Sequence, residues 1–156
     1  MTHAVKKQRT KNKYHLRIPS QTENLEIIRE FVSRVARKVG FPEEDANKIE
    51  LAVDEACTNV IEHAYSGDAK KIIDIVIQVD YPGQKMSVII TDQGRGFDPS
   101  KLRAPDMKRY MQEMRVGGLG VYLMQSLMDE INFELKPGPK NQVKLVKYFM
   151  NNQKQQ

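Results

Sequence analysis

"KIIDIVIQVDYPGQKMSVIITD", residues 71–92, decides the fold. Two runs rich in Ile and Val flank Tyr81-Pro82-Gly83-Gln84. β-Branched side chains suit a pleated, half-buried surface, and Pro-Gly suits a tight reversal, so the stretch predicts an antiparallel hairpin. Successive strand side chains alternate in direction, which puts Val88, Ile90 and Asp92 on one face. A carboxylate is therefore expected at a strand end, turned toward the apolar layer. A buried carboxylate without a donor is costly, so a partner is required, either a group of the protein or a group of a ligand.

Upstream, "YHLRI" alternates Tyr14, Leu16 and Ile18 and stops at Pro19, which predicts a strand. Ser20 and Glu23 match a capping box. Leu25, Ile28, Val32, Val35 and Val39 follow at helical spacing, and Gly40 suits the helix stop. A second helix is predicted from Pro42 to about Gly67. Glu43, Glu44 and Asp45 complement its positive end, and Ile49, Val53, Ala56, Val60 and Ala64 form its buried stripe. Downstream of the hairpin, residues 98–116 are charged and Met-rich with little period. "GGLGVYLMQSLMDE" then turns helical, and "INFEL" and "VKLVKYFM" form a last hairpin around Pro137-Gly138-Pro139. The order β, α, α, β, β, α, β, β predicts an α+β two-layer sandwich, with helices on one face of a mixed, mostly antiparallel sheet.

The chain of 156 residues suits one domain with one core. No apolar run is long enough to span a bilayer, and the N-terminus lacks an apolar signal core, so a membrane or secreted protein is not expected. A single cysteine, Cys57, excludes an internal disulfide and fits a reducing cytoplasm. The net charge of +5 is concentrated in residues 1–17, which hold Lys6, Lys7, Arg9, Lys11, Lys13, Arg17 and no acid. Such a tail is either a solvated end or a contact for nucleic acid, lipid or an acidic protein. With Tyr14 as the one aromatic residue interleaved, direct nucleic-acid binding is not expected.

Three short constellations carry chemistry. Glu55 and Asn59, in "DEACTN", are one helical turn apart and are expected roughly opposite the apolar stripe. They are either ordinary solvent-facing residues, or a proton acceptor beside a hard amide ligand for Mg²⁺. "DQGRGFDP", residues 92–99, is either a surface turn or a ligand loop in which Gly94 and Gly96 permit close approach and Asp92 accepts from a purine amine. Gly117, Gly118, Leu119 and Gly120 open a helix, and are either a hinge or a phosphate seat of exposed amides. The spacing is neither a Walker loop nor a dinucleotide fingerprint, and no H-R-D or D-F-G string occurs, which excludes a eukaryotic-type protein kinase.

Taken in order, "LAVDEACTNVIEHAY", "DQGRGFDP" and "GGLGVYLMQSLMDE" resemble the Bergerat-fold ATPase superfamily, and within it the anti-sigma-factor serine/threonine kinases. The resemblance runs from about Leu16 to Tyr148. With the charge run at one end and "NNQKQQ" at the other read as flexible ends, the expected division is a basic flexible tail at 1–12, a single ATP-binding kinase domain at 13–150 and a flexible C-terminus at 151–156. The resemblance implies that Asp92 accepts from the adenine amine, that Gly94 and Gly96 pass close to the nucleotide, and that Asn59 ligates Mg²⁺. Gly117, Gly118 and Gly120, with Leu119 among them, would wrap the phosphates under a lid at 98–116. Glu55 would be the general base toward a serine or threonine hydroxyl. Arg115 is a further candidate for a γ-phosphate contact.

The implied partners are a STAS-type anti-anti-sigma protein, a sigma factor and a second copy of the chain, with the first helix or a sheet edge as dimer surface. Many relatives carry Gly-Thr at the start of the last strand, where this chain reads "PKNQVKLV". Two rival readings remain: a nucleotide-regulated switch module without significant kinase activity, and a basic-tailed interaction protein without nucleotide. Glu55 argues against the first.

Overall fold

The hairpin at residues 71–92 forms, and the other elements assemble around it. The structure is a computed structural model that describes residues 10–64, 70–92, 120–135 and 141–149. β1 (Lys11–Pro19) leads through a 3₁₀ turn (Thr22–Asn24) into α1 (Leu25–Val39) and α2 (Glu43–Asn59). α2 runs on into a π-helical turn, Val60–Ala64. Then come β2 (Ile72–Asp80), β3 (Lys85–Asp92), α3 (Gly120–Leu127), β4 (Glu130–Leu135) and β5 (Asn141–Tyr148). The order of elements is the one read from the sequence. β1 begins at Lys11, inside the stretch assigned to the tail.

The five strands lie in the order β1-β2-β3-β5-β4, and the pairings are antiparallel throughout. Alternation sorts the two faces. Ile73, Ile75, Ile77 and Val79 of β2, Met86, Val88 and Ile90 of β3, and Val143 and Leu145 of β5 are buried together with the inner stripes of the helices. The opposite face presents Lys11, Lys13, Gln78, Lys85 and Lys144 around an open depression. Ile28 and Val32 of α1 and Ile49 and Val53 of α2 are fully buried, as their spacing predicts. α1 packs on α2, and α2 packs on α3, β3 and β5. Burying an Ile or Val side chain fully contributes roughly 1.5–3 kcal/mol, so this one layer holds the fold.

The joints have local causes. Gly40 takes φ 108°, a left-handed conformation. Its N–H donates to the Arg37 carbonyl at 3.0 Å, and that of Phe41 donates to Ala36 at 3.1 Å, closing a Schellman turn over the buried Phe41 ring. A Cβ at Gly40 would meet nothing within 4 Å, so only the backbone opposes substitution. Gly40→Ala is expected to lower stability by about 1–2 kcal/mol, read as a fall in the urea midpoint at constant slope. Across the same joint, Arg37 forms a two-pronged bond with Glu43 at 2.8 and 2.9 Å. That bond holds the Glu43 carboxyl below its ordinary range.

One local expectation is corrected. Ser20 and Glu23 form no capping box. A 3₁₀ turn intervenes, α1 starts only at Leu25, and no side chain caps either helical segment. The Ser20 amide instead donates to Lys71 at 2.8 Å, extending the sheet edge, and Asn24 Nδ2 donates to the Pro19 carbonyl at 2.8 Å. In the Tyr81–Gln84 turn the left-handed residue is Gln84, φ 53°, and not Gly83. A Cβ at Gly83 would stand 2.5 Å from the Asp80 carboxylate and would displace this side chain, which accepts the Gly83 N–H at 3.1 Å.

Candidate functional site

Asp92 ends β3 on the helix-covered face, beside Val88 and Ile90, and is buried at 6% exposure. Its partner across the sheet is Asn141, the first residue of β5, 49 positions away. Asn141 is 5% exposed, and its Nδ2 donates to Asp92 Oδ1 at 3.3 Å. The protein thus supplies a donor of its own to the buried carboxylate. Asn141 Oδ1 is itself buried and has no hydrogen-bond partner among the described residues. An unpartnered buried acceptor costs about 1–3 kcal/mol, a cost that folding alone has no reason to retain.

Glu55 and Asn59 lie on the last two turns of α2. The expectation that both face away from the apolar stripe fails for Asn59, which is 4% exposed. The reason is that α2 is covered on more than one side, with α1 and α3 beside it and β3 and β5 beneath. Asn59 Nδ2 is buried without a partner among the described residues. Glu55 is half-buried. The neighbouring Asp54 is bound at 2.8 Å by Arg29 of α1, which fixes the rotation of α2. Thr58 Oγ1 donates back to the Asp54 carbonyl at 2.8 Å, and the backbone widens into the π-helical turn immediately after Asn59. Single π turns recur at functional positions because they re-aim the side chains around them.

Gly120 is the first residue of α3. The far end of this helix is anchored: Lys147, nearly buried on β5, donates from Nζ to the Leu127 carbonyl at 2.8 Å. A cation there complements the negative helix end and satisfies a carbonyl that the helix leaves open. Gly94, Gly96, Arg115, Gly117, Gly118 and Leu119 lie outside the described residues, as does the 98–116 stretch. Cys57 is fully buried, and its burial, reinforced by Asp54, pushes the thiol far above its usual range. It stays protonated and is core, not a nucleophile. Among the described residues no group of three or more His, Cys, Asp or Glu is placed to hold a metal ion, and no helix is long and apolar enough to cross a membrane.

Two buried amides with an atom that meets no partner among the described residues, Asn59 on α2 and Asn141 on β5, and one buried carboxylate, Asp92 on β3, are therefore enclosed by the fold. Sequence reasoning missed Asn141. The one signal for it was an Asn at the very start of a strand-forming run, where the resemblance leads one to expect Gly-Thr.

The model of the histidine kinase-like ATPase domain matches residues 18–147. Similar curated proteins include the serine-protein kinase RsbW of Bacillus pumilus, 34% identical over 128 residues, covering 79% of this chain and 78% of that protein. The serine-protein kinase RsbW of Halalkalibacterium halodurans is 33% identical over 125 residues, covering 78% and 75%. Among solved structures, the RsbU and RsbW domains of a Mycobacterium tuberculosis protein superpose with a TM-score of 0.61 at 13% identity. That match covers 88% of this chain and 32% of the other, and it supports the fold.

Proposed function

This chain belongs to the histidine kinase-like ATPase domain family, and we propose that it works as a serine/threonine protein kinase and anti-sigma factor whose substrate is a STAS-type anti-anti-sigma protein. The observation that supports the site assignment is a pair of buried polar groups: Asn59, whose Nδ2 has no partner among the described residues, and Asp92 at the end of its strand.

Bound Mg-ATP supplies the phosphoryl group and a polarised phosphorus. The chain's own residues position and neutralise, as phosphoryl transfer demands. Asn59 would hold the nucleotide's phosphates and Mg²⁺, its amide oxygen being a hard ligand suited to a hard cation and its Nδ2 a donor suited to an anion. Asp92 would accept from the adenine amine through a carboxylate oxygen. Gly94 and Gly96 let the backbone approach the base. Gly120 opens α3, where the helix dipole favours anions, and Gly117, Gly118 and Leu119, which precede it in the sequence, would offer amides to the phosphates with it. Arg115 adds positive charge beside them. Glu55 holds the proton of the incoming hydroxyl.

A phosphate placed on the partner's binding surface adds close to two negative charges, which weakens the complex and frees the kinase for a sigma factor. A homodimer and a cytoplasmic location complete the reading, with Cys57 reduced and enclosed.

The test is direct. Mg-ADP at a hundred times its dissociation constant is expected to raise apparent stability by about 2.7 kcal/mol, visible as a higher melting temperature. Radiolabelled γ-phosphate is expected to appear on a STAS-type protein and be lost from ATP. Absence of any shift at millimolar nucleotide would sink the reading. A shift without transfer would leave a nucleotide-regulated switch module in its place.

A further inference from the structure

We propose that Asn141 is a specificity-determining residue of the nucleotide site, the second acceptor for the exocyclic 6-amine of the bound purine. The proposal rests on the nucleotide reading above and adds a residue to it.

Asn141 stands opposite Asp92 in the antiparallel register, on the same helix-covered face. Its Nδ2 donates to Asp92 Oδ1 at 3.3 Å, a long bond for this pair of groups. That bond fixes which way the amide is turned, with Nδ2 toward the carboxylate and Oδ1 away from it. Oδ1 is enclosed and has no donor among the described residues. Asp92 and Asn141 therefore bring a carboxylate and an amide oxygen, the latter turned away from their shared bond, to neighbouring positions of the same buried face. Two adjacent acceptors call for one group with two N–H bonds. The planar 6-amine of adenine is such a group, with one hydrogen for each oxygen. A purine with a 6-carbonyl would bring a third acceptor against them and be rejected, because buried acceptors facing each other lose their hydrogen bonds to water and gain none.

The alternative, that Asn141 only steadies Asp92, predicts a different energetic pattern. A steadying residue affects every nucleotide alike. A second acceptor affects only nucleotides that carry the amine. The experiment is a double-mutant cycle in which one change is made on the ligand. Dissociation constants of ADP and of purine riboside diphosphate, which has hydrogen in place of the amine, are measured by calorimetry on the full chain and on Asn141→Leu. Asn141→Val, a better strand former, is the second variant should the leucine protein fail to fold.

In the parent protein, loss of the amine is expected to weaken binding about tenfold more than it does in either variant. Penalties equal within about twofold in parent and variants would overturn the role of Asn141 while leaving the nucleotide site intact. Equal affinity of the parent for both ligands would show that the amine is not read at all, and would overturn it too. Failure of the parent to bind either ligand would sink the nucleotide reading itself, and the inference with it.

Discussion

Glu55→Gln is expected to lower phosphoryl transfer by about 10²- to 10⁴-fold while nucleotide binding stays close to that of the parent. The substitution keeps shape and helix propensity but removes the only property the proposed role uses, the ability to take a proton near neutral pH. The structure makes the two outcomes separable. Glu55 is half-buried on α2, and its neighbour Asp54 supplies one of the bonds between α2 and α1, held by Arg29 at 2.8 Å. Asn59 lies one turn on, with an amide that the substitution does not touch. Transfer should be measured as single-turnover label on the STAS-type partner at saturating ATP, and binding by calorimetry with Mg-ADP. Transfer at the parent's rate would move the proton acceptor to another residue. Parallel loss of binding and transfer would instead make Glu55 part of the nucleotide seat.

Asp92→Asn is expected to weaken nucleotide binding by about a hundredfold without a comparable loss of stability. A hydrogen bond to an ionised acceptor contributes roughly 1.5–3 kcal/mol, and a tenfold change in affinity corresponds to about 1.4 kcal/mol. The isosteric amide does more than remove charge. It turns one of the two oxygens into an N–H donor, facing a ligand amine that also donates. The folded chain without nucleotide has less to lose. Asp92 is buried at 6% exposure, so its charge carries a desolvation cost, and the remaining amide oxygen still accepts from Asn141 Nδ2. Urea midpoint and dissociation constant, measured on one preparation, should therefore move apart: stability nearly constant or higher, affinity much lower. If both fall together, Asp92 is a structural residue and the purine is read elsewhere.

Much of this molecule was legible along the chain because its signals are local. The apolar spacing of Ile28, Val32, Ile49 and Val53 needs only the geometry of one helix, and all four are buried. The left-handed Gly40 follows from the end of a stripe and the absence of a side chain. The face of Asp92 follows from counting twos from Val88. Where local reasoning failed, a neighbour distant in sequence intervened. Ser20 gave up its cap because its amide pairs with Lys71 across the sheet. Asn59 looked solvent-facing while α2 was considered alone, and is enclosed because four other elements, α1, α3, β3 and β5, pack around that helix.

The sequence by itself determined which elements form, where α1 stops, and that a carboxylate would lie on the inner face at the end of β3, because each depends on the chain's short-range period and on the conformational limits of single residues. Only the tertiary structure decided that Asn141 stands against that carboxylate and that Asn59 is shut inside with an N–H that meets no partner among the described residues. Both depend on strand register and helix packing between residues dozens of positions apart, and a periodic pattern carries no record of which distant partner it will meet.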